Sequence, residues 1–265
     1  QFLREQLAGD ELAPERPAAW IAAGFLRPGP DESNAPNILL ARQETLNELT
    51  SAVATIFLAQ SLGCAQCHDH KFDPLTKVDF YRLQAFFAGV IPLDRAPVGA
   101  AEQLAAYKAE QRAFEDRLAP LVDELQRIEL PARIQAAGDR RMKFPAIVLD
   151  AIDVPPERRT ALQHQLAFFC ARQIPVTDEQ IAGALDEAGR KRREELRTAL
   201  ASERARQPQP PAWLDAFTIC DGDSIPATYN LSGGNYAKPL EELSPGIPEV
   251  LDFSAGIAAI APPRP

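Results

Sequence analysis

The sequence predicts a mainly α-helical protein in three parts. These are a helical domain over residues 1–100, a protruding antiparallel helical arm over residues 101–207, and an irregular tail over residues 208–265 that packs back on the first domain. Three observations lead to this prediction. Apolar residues recur at helical spacing on both sides of a short cysteine motif. A coiled-coil-like heptad pattern then continues for about four repeats, and beyond the arm the composition shifts to Thr, Tyr, Gly and Pro.

The first domain begins with two short predicted helices, Phe2 to Leu12 and about Ala18 to Phe25. A longer helix is predicted from about Glu44 to Gly63, with the glycine as its C-cap. A further helical pattern covers Phe80 to Val90, with Asp79 as a candidate N-cap. The cysteine motif lies between these last two apolar helices, where a flat hydrophobic cofactor could be enclosed.

The arm is predicted from apolar residues that alternate at spacings of three and four, with Gln111 at the one missing position. They are Leu104, Tyr107, Phe114, Leu118, Leu121, Leu125 and Ile128. A second, charged helix from Asp178 to Arg206 offers a partner face, and shorter helices between Ala146 and Gln173 would form the tip. Two independent surface helices are the alternative. A paired arm would also be a surface through which the protein could form oligomers.

The tail contains two short strand-like runs, Ala216 to Cys220 and Thr228 to Leu231. Two cysteines lie outside the motif, at Cys170 and Cys220. They are expected to be buried thiols or, in an oxidising compartment, one disulfide that ties the arm to the tail.

The charge of the chain limits its partners. A formal net charge of −9 argues against binding to nucleic acid or to an anionic membrane surface, whereas basic redox proteins remain suitable partners. The longest apolar stretches, such as Ala52 to Leu62, are shorter than the roughly 20 residues needed to span a bilayer. The chain starts at Gln1 inside an amphipathic segment, so we expect a piece of a longer protein that has lost a signal peptide or its first part.

The motif itself reads Cys64-Ala65-Gln66-Cys67-His68, the C-x-x-C-H pattern of covalent c-type haem attachment. Two thiols one turn apart can each form a thioether to a haem vinyl group, and the following imidazole can then bind the iron. One haem c is therefore the expected cofactor, on Cys64 and Cys67 with His68 as the proximal ligand. A zinc site that adds His70, and a thioredoxin-type redox pair, are the alternatives.

The polar residues after the motif have two interpretations. Lys71 and His70 could hydrogen-bond the haem propionates. The carboxylates of Asp69 and Asp73 could bind a cation, or they could simply cap turns.

The sixth ligand of the iron is left open by the sequence. Met142 is the only methionine, and thioether ligation would raise the reduction potential. His164 would give a bis-histidine iron of lower potential. The remaining alternatives are an open or water-bound position and a ligand from outside the chain.

A family resemblance accompanies the motif. The segment from Leu62 to Leu75, which contains Cys-His-Asp-His-Lys-Phe-Asp-Pro, continues into Asp79–Phe87 and resembles a cytochrome c-like domain of unknown function in large secreted planctomycete-type proteins. Further similar segments are Phe2–Asp10, Ile21–Leu26 and Gly233–Gly246. The resemblance implies an exported haem protein, often joined to further cytochrome or sugar-binding modules.

These observations predict a mono-haem c-type cytochrome domain for electron transfer in the periplasm or outside the cell, with a redox protein or other haem modules as partners. One alternative is a haem-dependent, peroxidase-like oxidoreductase module of a larger secreted carbohydrate-active protein. Another is a binding module held together by zinc or haem. A hydrolase is not indicated, because the chain contains no nucleophile elbow, phosphate loop or H-E-x-x-H motif.

Overall fold

The computed structural model describes residues 1–27, 34–99, 101–209, 214–222 and 224–251. These residues are mainly helical, as predicted. The helices are α1 (Phe2–Leu12), α2 (Pro17–Ala23), α3 (Ile38–Leu58), α4 (Lys77–Gln84), α5 (Ala101–Ala137), α6 (Ala146–Asp153), α7 (Ala161–Cys170), α8 (Asp178–Ala184) and α9 (Glu187–Arg204). The strands are β1 (Val90–Val98), β2 (Leu214–Asp221), β3 (Thr228–Leu231) and β4 (Pro239–Leu243).

The chain folds into two compact units, each made of two separate segments. The first unit contains Gln1–Ile38 and Val90–Gly222, and the second contains Leu39–Gly89 and Asp223–Pro265. These units cut across the three segments expected from the sequence, with their boundaries at residues 100 and 207. The reason is that β1 pairs antiparallel with β2, which joins the residues before the arm to those after it.

The first unit contains the two helices α5 and α9, which run antiparallel. Glu124 and Glu129 of α5 form ion pairs with Arg192 and Arg193 of α9, respectively. Residues late in α5 thus lie beside residues early in α9. Nearer the start of α5, Phe114 and Leu118 form a buried cluster with Leu200 of α9. The predicted single helix from Asp178 to Arg206 is wrong, because Leu185 is extended and the Asp186 side chain caps α9 by accepting from the backbone N–H of Gly189 (2.7 Å).

The second unit begins with α3, which starts earlier and ends earlier than predicted. Ala59 takes a left-handed conformation, with φ of 53°, directly after the last helical residue Leu58. Gly63 is therefore not the C-cap, and it lies instead in a 3-10 turn over Leu62–Gln66. Buried side-chain amides tie α3 to α4, since the Nε2 group of Gln43 donates to Oε1 of Gln84 at 2.9 Å.

Helix α4 has a capping box, and its N-cap is Thr76 rather than the predicted Asp79. The Thr76 hydroxyl accepts from the backbone N–H of Asp79, and the Asp79 carboxylate accepts from the backbone N–H of Thr76. Asp79 is thus the third helical residue rather than the N-cap. The helix ends at Gln84, and after a 3-10 turn over Ala85–Phe87 the chain enters β1 at Val90, where a helix was expected.

The tail supplies the remaining strands, of which β2 and β3 were predicted and β4 was not. Both strand-like runs are confirmed, as β2 and β3. Strand β3 pairs antiparallel with β4 through a turn over Ser232–Gly234. The chain that follows this hairpin is hydrogen-bonded to α4. The backbone N–H of Gly246 donates to the Arg82 carbonyl (3.0 Å), and that of Glu249 donates to the Asp79 carboxylate (2.9 Å).

The two cysteines outside the motif lie in the first unit and form no disulfide. The disulfide alternative is therefore wrong. Cys170 is fully buried, and burial raises the pKa of its thiol to about 11, whereas Cys220 is half-buried. Of the helices that the structure describes, none is both long enough and apolar enough to cross a membrane.

Candidate functional site

The cysteine motif begins on the 3-10 turn Leu62–Gln66 that follows α3, and Cys67 is the C-cap of this turn. Leu62 and Ala65 are completely buried, whereas Cys64 and Cys67 are exposed. Because a 3-10 helix has about three residues per turn, side chains three positions apart lie one above the other. The turn thus presents both thiols on one side and anchors itself with its apolar residues on the other.

The anchor beneath the motif is a set of buried side chains from the next loop and from α4. Leu75, Phe80 and Tyr81 are at most 1% exposed, and the two aromatic rings pack edge to face with their centroids 5.2 Å apart. The Tyr81 hydroxyl donates a hydrogen bond of 2.8 Å to the Gln66 carbonyl. Burial, and then the neighbouring Cys67, raise the pKa of Tyr81 above its ordinary value, so its phenol stays protonated as a donor.

His68 is exposed, and its ring is oriented by the backbone. Its Nδ1 atom lies 2.7 Å from the carbonyl oxygen of Asp69. A carbonyl can only accept, so Nδ1 carries the proton of the neutral ring and the Nε2 lone pair is free. This tautomer suits a metal ligand, because a hydrogen bond from the other ring nitrogen fixes the imidazole and raises its basicity.

His70 has a different role, in the loop between the motif and α4. Its Nδ1 atom accepts from the backbone N–H of Asp73 at 2.9 Å, so the proton of the neutral ring lies on Nε2. The Asp73 carboxylate lies 3.3 Å from the same Nδ1 atom. The His70 backbone N–H also donates to the Leu75 carbonyl (2.8 Å), which closes the loop. His70 therefore stabilises the loop and keeps one N–H donor.

Lys71 and Phe72 follow at the exposed side of the same loop. The Lys71 ammonium lies 5.2 Å from the centroid of the Phe72 ring, a cation–π distance, and 82% of Phe72 is exposed. Sequence reasoning did not single out Phe72, although an aromatic residue within a run of charged ones was a visible signal. A large exposed aromatic ring beside the motif is available to pack against a flat apolar group.

Of the aspartates around the motif, Asp69 has a capping role at the start of α4. The Asp69 carboxylate accepts from the backbone N–H of Lys77 (2.8 Å), and Asp73 lies 3.5 Å from the Ser61 hydroxyl. Within the described ranges, no three His, Cys, Asp or Glu side chains are grouped so as to hold a metal ion. The zinc alternative thus has no preassembled set of ligands among these residues.

A second backbone segment approaches the motif from the tail. A Cβ atom placed on Gly234 would lie 2.8 Å from the Cys67 sulfur and 3.2 Å from the Gln66 carbonyl oxygen. The sequence predicted that the tail packs back on the first domain, but it did not single out this contact. The only local signal was the Gly-Gly pair, which is typical of a turn with positive φ.

The two candidates for the sixth iron ligand lie in the first unit. Met142 follows the 3-10 turn Gly138–Arg141 and is 80% exposed. His164 lies in α7 and is half-buried; burial, and then the charge of Arg159, lower the pKa of its imidazole. In the described part of the second unit, His70 is the sole histidine besides His68. Whether Met142 or His164 binds iron therefore stays a prediction.

The residues at the motif fit a covalently bound haem. They provide two exposed thiols on one side of a turn, an imidazole with a free Nε2 lone pair, and an exposed aromatic ring. The His70 N–H and the Lys71 ammonium are donors for the anionic groups of such a cofactor. The donor set is thus the one that a c-type haem requires.

Comparison with known proteins gives one match. Residues 1–91 match the family model PSCyt2, described as a protein of unknown function (DUF1549). The matched segment includes the motif and covers 91 of 265 residues, so about a third of the chain is similar to a planctomycete-type domain of unknown function. This confirms the predicted resemblance in its general form. No curated protein and no solved structure gave a match.

Proposed function

We propose that this chain binds one haem c covalently through Cys64 and Cys67, with His68 as the proximal ligand, and that it transfers electrons outside the cytoplasm. The observation that carries the proposal is the orientation of His68 directly after two exposed thiols. Its Nδ1–H donates to the Asp69 carbonyl and leaves Nε2 for iron. The bound haem would supply a one-electron change at iron, and the chain would set its potential through ligands, burial and hydrogen bonds.

The thiols of Cys64 and Cys67 would hold the cofactor through two thioethers. Each S–H would add across the C=C bond of one vinyl group, so that a C–S bond replaces the π bond and the thiol hydrogen ends on the neighbouring carbon. This addition would consume no external oxidant or reductant. The exposure of Cys64 and Cys67 on one side of the 3-10 turn suits this addition, because both sulfurs are accessible from solvent.

The loop after the motif would hold the propionate side of the cofactor. The His70 Nε2–H and the Lys71 ammonium are the donors, and Phe72 would cover an apolar edge. Long-range attraction to a positively charged redox protein follows from the net charge of −9. We also propose a periplasmic or extracellular location, because c-type haem is attached outside the cytoplasm.

A second candidate function is a haem-dependent oxidoreductase that acts on peroxide. The observation that favours it concerns the sixth iron position. Within the described residues of the second unit there is no methionine, and Nδ1 of His70 is occupied by the Asp73 N–H. An open sixth position would admit a small oxidant. The optical spectrum separates the two functions, since a low-spin six-coordinate iron favours electron transfer and a high-spin iron favours catalysis.

The test of the proposal is covalent haem retention. The chain is exported to the periplasm of a host with a c-type maturation system, and haem is stained after denaturing electrophoresis. Wild type should stain, and the double variant Cys64→Ala/Cys67→Ala should not. Cys220→Ala is the matched control, because Cys220 is a cysteine outside the motif that forms no disulfide, and it should stain like wild type. Staining of the double variant, or an unstained wild type, would refute the proposal.

A further inference from the structure

The turn at Ser232–Gly234, which we call the glycine turn, makes a contact with the motif that the proposed function does not explain. A Cβ on Gly234 would lie 2.8 Å from the Cys67 sulfur, closer than real Cβ atoms approach a neighbour. The bare Cα of Gly234 thus lies directly against one side of that sulfur. Gly233, one position earlier, has open space where its Cβ would be. The contact is therefore specific to one of the two glycines.

The motif side of this contact is held in place. The Gln66 carbonyl oxygen, which would lie 3.2 Å from a Cβ on Gly234, accepts the hydrogen bond of the Tyr81 hydroxyl. Tyr81 has no exposed surface and packs against Phe80. A shift of the backbone at Gln66 and Cys67 would strain this partly buried hydrogen bond.

The turn side is held as well. The backbone N–H of Ser232 donates to the Lys238 carbonyl (3.0 Å), and that of Asn235 donates to the Ser232 carbonyl (3.1 Å). The side-chain amide of Asn230, a buried residue, donates to the Glu241 carboxylate (2.8 Å) across the hairpin. With both backbones restrained, the part that can respond to a change at Gly234 is the Cys67 side chain.

We propose that the glycine turn steers Cys67, fixing the direction and the accessibility of its sulfur and so permitting the second thioether to form. The role in thioether formation rests on the proposed function. The orientation of Cys67 by the glycine turn, which we call steering, is a property of the chain without cofactor. No Cys64 atom is among the three atoms nearest to a Cβ on Gly234, so the two thiols of the motif lie differently with respect to this glycine. Gly234 is then a positioning residue, far outside residues 1–91 that match the family model.

The first experiment uses the chain without haem, produced in the cytoplasm under reducing conditions. Cys64 and Cys67 are alkylated in competition, and their rates are read by peptide mass spectrometry, with buried Cys170 as a slow internal reference. Gly234→Ala should lower the Cys67-to-Cys64 rate ratio by about five-fold, as expected when a side chain is displaced from its rotamer. Equal ratios in Gly234→Ala and wild type would overturn the proposal.

The matched control is Gly233→Ala. Gly233 and Gly234 have positive φ values of 58° and 74°, so alanine strains the backbone at both positions, but only Gly234→Ala collides with Cys67. Gly233→Ala should keep the wild-type rate ratio within about two-fold. A similar fall in both variants would assign the effect to backbone strain and would overturn the proposal.

A measurement on wild type covers the case in which Gly234→Ala does not fold. The Cys67-to-Cys64 ratio is determined in buffer and in concentrated urea. Steering by the glycine turn requires a native ratio that differs from the unfolded one by about two-fold or more. The same ratio under both conditions would overturn the proposal.

The second experiment uses the haem-loaded chain. Gly234→Ala should yield haem attached through Cys64 alone, which leaves one vinyl group and moves the α band of the pyridine haemochrome to longer wavelength. Gly233→Ala should keep both thioethers, and two thioethers in Gly234→Ala would overturn the proposal. A wild type that shows steering in the first experiment but carries no haem would overturn only the proposed function.

Discussion

Replacing Tyr81 by phenylalanine tests how much the hydrogen bond from Tyr81 to the motif stabilises the fold. The substitution removes only the hydroxyl, which donates a 2.8 Å hydrogen bond to the Gln66 carbonyl, and it keeps the ring that packs against Phe80. A neutral hydrogen bond of this kind contributes about 1 kcal/mol net, and an acceptor left without a partner adds to the loss. We therefore expect Tyr81→Phe to lower the free energy of unfolding by about 1.5 kcal/mol.

The pH dependence of the same hydrogen bond gives a second measurement on this variant. Burial, and then the neighbouring Cys67, raise the pKa of Tyr81 above its ordinary value of 10, so the folded state binds the phenol proton more tightly than the unfolded state. The resulting stabilisation is complete below pH 10 and is lost as the pH rises above it. Tyr81→Phe should remove this alkaline loss.

The assay is urea unfolding followed by circular dichroism, between neutral pH and pH 11. Tyr229→Phe is the matched control, because Tyr229 is 38% exposed and lies on β3 of the same unit. It should change the free energy of unfolding by less than about 0.5 kcal/mol. If Tyr81→Phe changed the free energy of unfolding as little as the control does, the conclusion that Tyr81 anchors the motif through Gln66 would be refuted.

Two further predictions concern the first unit. Met142→Leu should leave the optical spectrum of the haem-loaded chain unchanged, because Met142 is 80% exposed; loss of a red charge-transfer band would instead identify it as the iron ligand. Arg193→Met should lower the free energy of unfolding by about 2 kcal/mol in chemical denaturation, because it removes the buried cation that pairs with Glu129 and Asp178 and leaves them with the more exposed Arg133 and Arg197, respectively. Arg192 is its exposed neighbour, and Arg192→Met should lower the free energy of unfolding much less. Equal decreases in the two variants would contradict this reasoning.

The helices were the most predictable part of the fold, because they depend on residues a few positions apart. Helix α1 has the predicted bounds Phe2–Leu12, and Phe114, Leu118 and Leu200 of the predicted arm are buried together. Helix ends were less predictable. Gly63 was expected to end α3, but Ala59 does so with a positive φ that sequence patterns rarely assign to alanine.

Strand β1 was missed for a different reason. Its sequence, Val90–Val98, contains two prolines and lacks the alternation of apolar and polar residues that marks a strand. The strand exists because β2 pairs with it from the far side of the arm. Pairing between segments distant in sequence leaves no local signal, so only the folded chain reveals it.

The sequence by itself determined the chemistry of the candidate site, because the spacing of Cys64, Cys67 and His68 already specifies two thiols and an imidazole on adjoining positions of a turn. Only the tertiary structure decided how these groups are presented. The hydrogen bond of Tyr81 to Gln66 and the contact of Gly234 with Cys67 join residues from separate parts of the chain. Such contacts depend on the packing of whole elements against one another, which a local pattern of residue types does not encode.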